Sequence, residues 1–431
     1  MSRVGVIGAG YVGLTTGACL AHMGHDVVCA DIDEARIQRL NKGEVPILEA
    51  GLPELVSAGI ASGRLRFVVG APAASADREF VFLAVPTPQG DDGSADLSYA
   101  ERAAREIAPV LANGTVVINK STMPVGSTRR IQQVLEESGL GAREVRVASN
   151  PEFLREGTAV HDFLHPDRVV VGCTDGAAAA RVAELYAGLE APRLVTDPQS
   201  AEMIKYASNA FLAVKISFIN AIANLCETVD ADVREVALGM GYDHRIGFEF
   251  LKPGPGYGGS CFPKDTAALL YTAEQAGYDF KLLQGARDVN EAQYQRMVDK
   301  VANAVGGDLQ GVRVAVWGLA FKANTDDLRD SPAIEVIQRM LAAGASVRGY
   351  DPSGAARAEQ LAPGLEVMTD RYDVLEGADV LVILTEWDEF RWADYVKVAD
   401  LLNEQRIVDT RNLLDPMAMR RRGFQYEGVG R

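Results

Sequence analysis

Cysteine is scarce in this 431-residue chain: five residues, Cys19, Cys29, Cys173, Cys226 and Cys261, with no CxxC pair among them. That excludes a disulfide framework and the usual thiolate zinc sites, and four of the five are expected to be packing residues. Basic excess is missing too. A net charge of −16 and a pI near 4.9 argue against nucleic acid and anionic membranes as partners, because both select a basic footprint. Any phosphate must therefore be held locally. No apolar run near the length needed to span a bilayer is expected. No secretory leader is expected either, since Val4 already belongs to the first strand. What is present, 48% hydrophobic residues over this length, suits a large cytoplasmic enzyme of two or three domains.

The N-terminus reads RVGVIGAGYVGL, with Gly8, Gly10 and Gly13 directly after the apolar run Val4 to Ile7. Strand, glycine turn and helix is the pattern that holds a dinucleotide. Gly8 allows the tight turn, Gly10 lets the pyrophosphate reach the backbone, and Gly13 lets the helix pack on the strand, while free N–H groups at the helix start hold the anion. A second strand, HDVVCADID, ends in Asp31, eighteen residues beyond Gly13 (31 − 13). There an acidic side chain binds both ribose hydroxyls and favours NAD over NADP. Arg36 is a weak counter-sign, because a nearby arginine can accommodate a 2′-phosphate.

Strands and helices then alternate through FVFLAVPTP, a helix around 98 to 112, TVVINKSTMPVGS and VRVASNPEFL, the rhythm of a doubly wound parallel sheet. Thr87 and Thr122 follow the fourth and fifth apolar runs, where such sheets bind ligands; a plain turn role is equally open to both. From about residue 199 the pattern becomes one long helix, with apolar residues at helical spacing (Met203, Ile204, Ala207, Phe211, Leu212, Ile216, Ile219, Ile222). Lys205 and Asn209 lie four apart and so share one face.

The segment PGPGYGGSCFPKD, residues 253 to 265, sets Cys261 in a glycine-rich loop with Lys264 and Asp265 close behind. Glycines let backbone approach a ligand and prolines limit wandering, so the loop suits a reactive thiol. Its thiolate needs nearby positive charge or a base.

From about 312 the chain resembles a second copy of its first unit. RVAVWG matches RVGVIG and GASVRGYD matches GHDVVCAD, so Asp351 falls where Asp31 does. The phosphate glycines are gone, GLAFK replacing GAGYVG. The first strand of this copy is expected to end at Lys322, followed by Arg329, and its last at Arg411; cations there suit a phosphate, a nucleotide or a carboxylate.

Taken in order, GAGYVGL, VPTP, STMPVGS, NPEFLREG, the Lys205/Asn209 helix, RIGFEFLKPGPGYGGSCFPKD, GLAFKANTDDLRDSP and DTRN closely resemble the nucleotide-sugar dehydrogenases over the whole length. The resemblance implies two Rossmann-like domains, 1–198 for NAD and 306–431 for the UDP-sugar, joined by a central helical dimerisation segment, 199–305. It implies oxidation of a sugar C6 alcohol to a carboxylate with two NAD. UDP-glucose is favoured as substrate, with dTDP-glucose or GDP-mannose as the nearer alternatives and a non-catalytic nucleotide-binding protein as the remoter one.

The same resemblance implies residue roles. Cys261 would hold the sugar as thiohemiacetal and then thioester, with Lys205 and Asn209 as oxyanion donors, Asp265 helping to move the hydroxyl proton, and Glu152 as base on the hydrolytic water. Glu156, one helical turn further on, would face the cofactor with Thr122. NAD would also meet Tyr11, Val12, Asp31, Arg36, Thr87, Lys264 and Arg329. The substrate would meet Phe153, Leu154, Phe250, Gly258, Lys322 and Arg411, and Arg245 would reach across from the partner of a homodimer. Relatives often carry tyrosine where this chain has Phe250.

Overall fold

The computed structural model describes residues 1–354 and 357–431. The chain divides into two compact units, Met1–Ser208 with Ala267–Tyr278, and Asn209–Thr266 with Asp279–Arg431. The helices Pro198–Val229 and Phe262–Gln275 each have residues in both.

The first unit is built on one sheet of β1 (Arg3–Ile7), β2 (Asp26–Asp31), β3 (Leu65–Val69), β4 (Phe80–Leu83), β5 (Val116–Asn119), β6 (Arg146–Ser149), β7 (Val169–Gly172) and β8 (Arg193–Thr196). They stand in the order β3-β2-β1-β4-β5-β6-β7-β8. The first six make the doubly wound order, whose direction reverses between β1 and β4, the place where such sheets bind ligands. Central strands such as Val116–Asn119 are buried throughout, as a sheet covered by helices on both faces requires. One expectation needs correction. The sheet is not parallel throughout: β7 runs antiparallel to β6, with β8 parallel to β7.

The second unit repeats the first. Strands β9 (Arg313–Trp317), β10 (Ser346–Tyr350), β11 (Glu366–Val367), β12 (Val380–Ile383), β13 (Arg406–Asp409) and β14 (Gln425–Glu427) form a parallel sheet in the order β11-β10-β9-β12-β13-β14. This is the six-strand order of the first unit again. Strand ends differ from expectation. β9 stops at Trp317, because Gly318 turns the chain at φ +93, so Lys322 lies in the loop beyond. β13 stops at Asp409, and a further strand, β14, follows Arg411.

The helix Pro198–Val229 is 32 residues long. Contrary to the sequence expectation, it is long and apolar enough, by length and composition, to cross a membrane. Its side chains explain why the run nevertheless suits a core: Ile219, Ala223 and Cys226 enter the apolar cluster of the second unit, and buried Ser217 donates to the Ala286 carbonyl at 2.7 Å. A second apolar stripe, Phe211, Phe218, Leu225 and Val229, faces outward.

Candidate active site

At the end of β1, Gly8 has φ +100 and no room for a Cβ against the Ala84 carbonyl, while a Cβ on Gly13 would collide with the Gly8 carbonyl. Gly10 differs: nothing lies within 4 Å of the position its Cβ would take. It precedes the helix Tyr11–His22, whose start has no side-chain cap. Two glycines are thus fixed by packing and the third leaves a cradle open over uncapped amides, which fits a pyrophosphate. Asp31 accepts from Ala9 N through Oδ2 at 2.9 Å and from Arg36 Nη1 at 3.1 Å, so the Arg36 charge is already engaged by a carboxylate. Tyr11 is tied down elsewhere: its hydroxyl donates to Glu49 and accepts from Gly157 N at 2.7 Å. Val12 stands half-buried beside it.

Beyond β4 and β5 the two threonines meet, Thr87 Oγ1 donating to the Thr122 carbonyl at 3.0 Å. The segment after Thr122 is pinned by Glu202 of the long helix, which accepts from Gly126 N and Thr128 N, each at 2.7 Å, and caps the helix Ser127–Glu137. One turn along from Glu202, buried Lys205 Nζ donates to Glu152 Oε1 at 2.8 Å, and Leu154 N donates to Glu152 Oε2 at 2.5 Å. Burial pushes the Glu152 carboxyl up, but the Lys205 ammonium, these two hydrogen bonds and Lys120 outweigh it and hold the carboxyl below its ordinary value. Phe153 lies between cations, 3.9 Å from the Arg168 guanidinium and 5.6 Å from Lys205 Nζ. NPEFLREG is an irregular loop, and the next helix begins at Ala159. Glu156 is therefore not one helical turn from Glu152.

In the second unit Cys261 immediately precedes the helix Phe262–Gln275, its carbonyl accepting from Asp265 N at 2.9 Å. A thiol there faces the positive end of a helix dipole. Asp265 is buried between two donors, Lys264 Nζ at 2.5 Å and Asn209 Nδ2 at 2.6 Å. The other four cysteines are buried, and burial pushes the Cys19 and Cys29 thiols up to about 12, the inert condition expected of packing residues.

The loop before Cys261 is held by three buried amides that sequence reading missed. Asn220 accepts from Gly254 N at 2.8 Å, Gln293 donates to the Gly254 carbonyl at 2.9 Å, and Asn290 accepts from Tyr257 N at 2.7 Å. A Cβ on Gly258 would strike the Asp330 carbonyl, and one on Gly259 the Phe321 ring. Arg411 donates to the Leu384 and Phe321 carbonyls at 2.8 and 3.0 Å and lies 3.6 Å from where a Gly254 Cβ would sit. Lys322 stands 5.3 Å from the Phe321 ring. Phe250 adopts φ +64, a strained state for an aromatic residue that surrounding structure must impose. Arg329 and Arg245 lie outside these clusters, exposed and bound to Asp327 and Asp243.

Two doubly wound units, one with an open glycine cradle and the other with a thiol at a helix start beside a buried Asn–Asp–Lys set, define a dinucleotide-dependent dehydrogenase. Residues 2–190 match the NAD binding domain, residues 199–292 the central domain and residues 315–416 the UDP binding domain of the UDP-glucose/GDP-mannose dehydrogenase family. The chain belongs to that family, and its cofactor is NAD. It is 49% identical to UDP-glucose 6-dehydrogenase of Rhizobium meliloti (100% of this chain, 99% of that one) and 46% identical to UDP-glucose 6-dehydrogenase TuaD of Bacillus subtilis (100% and 94%). The solved UDP-glucose dehydrogenase of Pyrobaculum islandicum superposes with a TM-score of 0.92 at 38% identity, covering 100% of this chain and 98% of that one.

Proposed function

We propose that the chain oxidises the C6 hydroxyl of UDP-glucose to the carboxylate of UDP-glucuronate, with Cys261 as nucleophile. The observation that carries the reading is the placement of Cys261 at a helix start, one turn before an aspartate buried between Asn209 and Lys264. NAD, held at Gly8, Gly10, Tyr11 (through its backbone), Val12, Gly13 and Asp31, with Arg36, Thr87, Thr122, Glu156, Lys264 and Arg329 as further contacts, supplies the acceptor for two successive hydrides.

The remaining chemistry belongs to the chain. Asp265 moves the hydroxyl proton. Cys261 Sγ adds to the aldehyde carbon as a thiohemiacetal, which keeps the half-oxidised sugar from escaping, and the second oxidation leaves it a thioester. Lys205 and Asn209, one turn apart on their helix, supply fixed donors to the developing oxyanion. Glu152, ionised at neutral pH, takes a proton from the water that hydrolyses the thioester. Phe153, Leu154, Phe250, Gly258, Lys322 and Arg411 are assigned to the nucleotide sugar. Residues 1–198, 199–305 and 306–431 serve cofactor, dimer and UDP-sugar in turn. The proposed state is a cytoplasmic homodimer in which Arg245 reaches the partner's site.

The test is the NADH formed per UDP-glucose consumed at limiting sugar, for wild type and Cys261→Ser. Two NADH per sugar, abolished in the variant, supports the thioester route. One NADH per sugar sinks the role of Cys261, and turnover on dTDP-glucose or GDP-mannose alone reassigns the substrate.

A further inference from the structure

The first unit contains a cavity of about 140 Å³ lined by both Glu152 and Lys120. Lys120 follows β5 and is buried. Among the described residues its ammonium makes one hydrogen bond, to Asn150 Oδ1 at 3.1 Å, and lies 5.9 and 5.7 Å from the Phe163 and Tyr186 rings. Among the described residues no carboxylate oxygen comes within 4.0 Å of it. Asn150 is itself fixed, accepting from Tyr186 hydroxyl at 2.5 Å and donating to the Val170 carbonyl at 2.7 Å. An ammonium has three donors, so two remain for whatever occupies the cavity. A polar cavity of this size holds several waters.

The geometry points to Lys120 and the waters of this cavity as the route by which Glu152 returns its proton to solvent, a role that rests on the thioester reading above. In the hydrolytic step the water oxygen bonds to the acyl carbon. The carbon–sulfur bond breaks with its electron pair going to Cys261 Sγ, one water proton passes to Glu152 and the other neutralises the thiolate. The products are carboxylate, thiol and protonated Glu152. Nothing is oxidised or reduced, but Glu152 must shed its proton before the next turnover, and it is buried.

Lys120 is built for that transfer. Burial first of all, with Lys205 adding repulsion and Glu152 opposing, pushes it down to about 8, close to the pH at which a proton carrier is most effective. The charged groups facing it are Glu152 and, from the long helix, Lys205. The cavity lining adds the paired Arg155 and Asp162, the rings of His161 and His165, and the charged Asp167 and Arg168. Lys120 acts through Glu152 and is a positioning residue, not a group that touches the sugar.

The experiment mixes wild type, Lys120→Met and Lys120→Ala with UDP-glucose and NAD, following NADH per site, steady-state rate and, after acid quench, the intact protein mass. For Lys120→Met the expected result is a first burst of NADH within about twofold of wild type, a steady-state rate about 10²-fold lower and accumulation of the Cys261-linked acyl species. In Lys120→Ala, added alkylamines are expected to restore turnover in an order set by amine basicity. A Lys120→Met rate within about twofold of wild type overturns the relay, as does a slow variant that neither accumulates acyl enzyme nor responds to amines. Wild-type enzyme that forms no cysteine-linked acyl species overturns the thioester reading itself, and the relay with it.

Discussion

Asp351 occupies, just past β10, the position that Asp31 occupies at the end of β2, yet the two carboxylates are used differently. Asp351, itself buried, accepts through Oδ2 from both Leu319 N and Ala320 N, at 2.7 and 3.0 Å, and from the part-buried Trp387 Nε1 at 3.2 Å. Asp31 Oδ2 caps only Ala9 N and shares Arg36, with its side chain partly open. In the second unit the carboxylate closes the turn that in the first unit stays available to a ligand.

Asp31→Ala is accordingly expected to raise the KM for NAD about 10- to 100-fold, the equivalent of a charged hydrogen bond of about 1.5–3 kcal/mol, with little change in melting temperature. Asp351→Ala should do the reverse, leaving two buried amides unpaired and lowering the melting temperature while KM for NAD holds. Kinetics and calorimetry on both variants check the pair; a NAD defect in Asp351→Ala would contradict the division of roles.

The Asn290 side chain both accepts from Tyr257 N and donates to its carbonyl, at 2.7 and 3.2 Å. Asn290→Ala strands both groups, each costing about 1–3 kcal/mol when buried and unpaired. The cysteine loop should loosen, so kcat is expected to fall at least tenfold. Unchanged kcat with a lowered melting temperature would leave Asn290 a purely structural residue.

The sequence made the glycine cradle, Asp31, the cysteine loop and the repeat of the β1–β2 unit legible, because each rests on local backbone demands that residue type and spacing express directly. Asn220, Asn290 and Gln293 left no such mark. A buried amide and a solvated one look alike until the chain that needs its hydrogen bonds is brought beside it, 33 to 39 residues away for these three. Lys120 went unread for the same reason, as its hydrogen-bond partner Asn150 is 30 residues distant. The reversal at β7 was equally hidden, since Val169–Gly172 is as uniformly apolar as the parallel strands and a buried strand carries no sign of its direction. Helical spacing in NPEFLREG misled because Glu152 and Glu156 are four apart in a loop.

Glu152 and Lys205 give a stability signature with a definite sign. The folded Glu152 carboxyl is held below its ordinary 4.5, so its contribution is fully present above that value and is lost as pH falls through the depressed one. Lys205→Met removes the cation and leaves burial to push the carboxyl up, which reverses the slope. The stability gap between wild type and variant should reach about 3–5 kcal/mol near neutral pH, the usual cost of breaking a buried pair, and shrink towards about pH 4. Urea unfolding at the two pH values measures it, and a gap independent of pH would mean Glu152 is not the group responding.

The outward stripe Phe211, Phe218, Leu225 and Val229 recurs every seven or four residues along one helix face, with exposures of 64%, 49%, 56% and 62%. Apolar residues aligned over five turns of a helix are what a partner surface requires, and two copies of one helix meet isologously with no further element needed. Each phenylalanine or leucine buried there contributes about 1.5–3 kcal/mol. Phe218→Asp with Leu225→Asp is therefore expected to convert a particle of two 46.2 kDa chains to one, read by light scattering, with little loss of helicity. If Arg245 reaches the partner's substrate, kcat/KM should fall with dissociation and recover as protein concentration drives reassociation. A wild-type particle already the mass of a single chain, fully active on dilution, would remove both the interface and the role of Arg245.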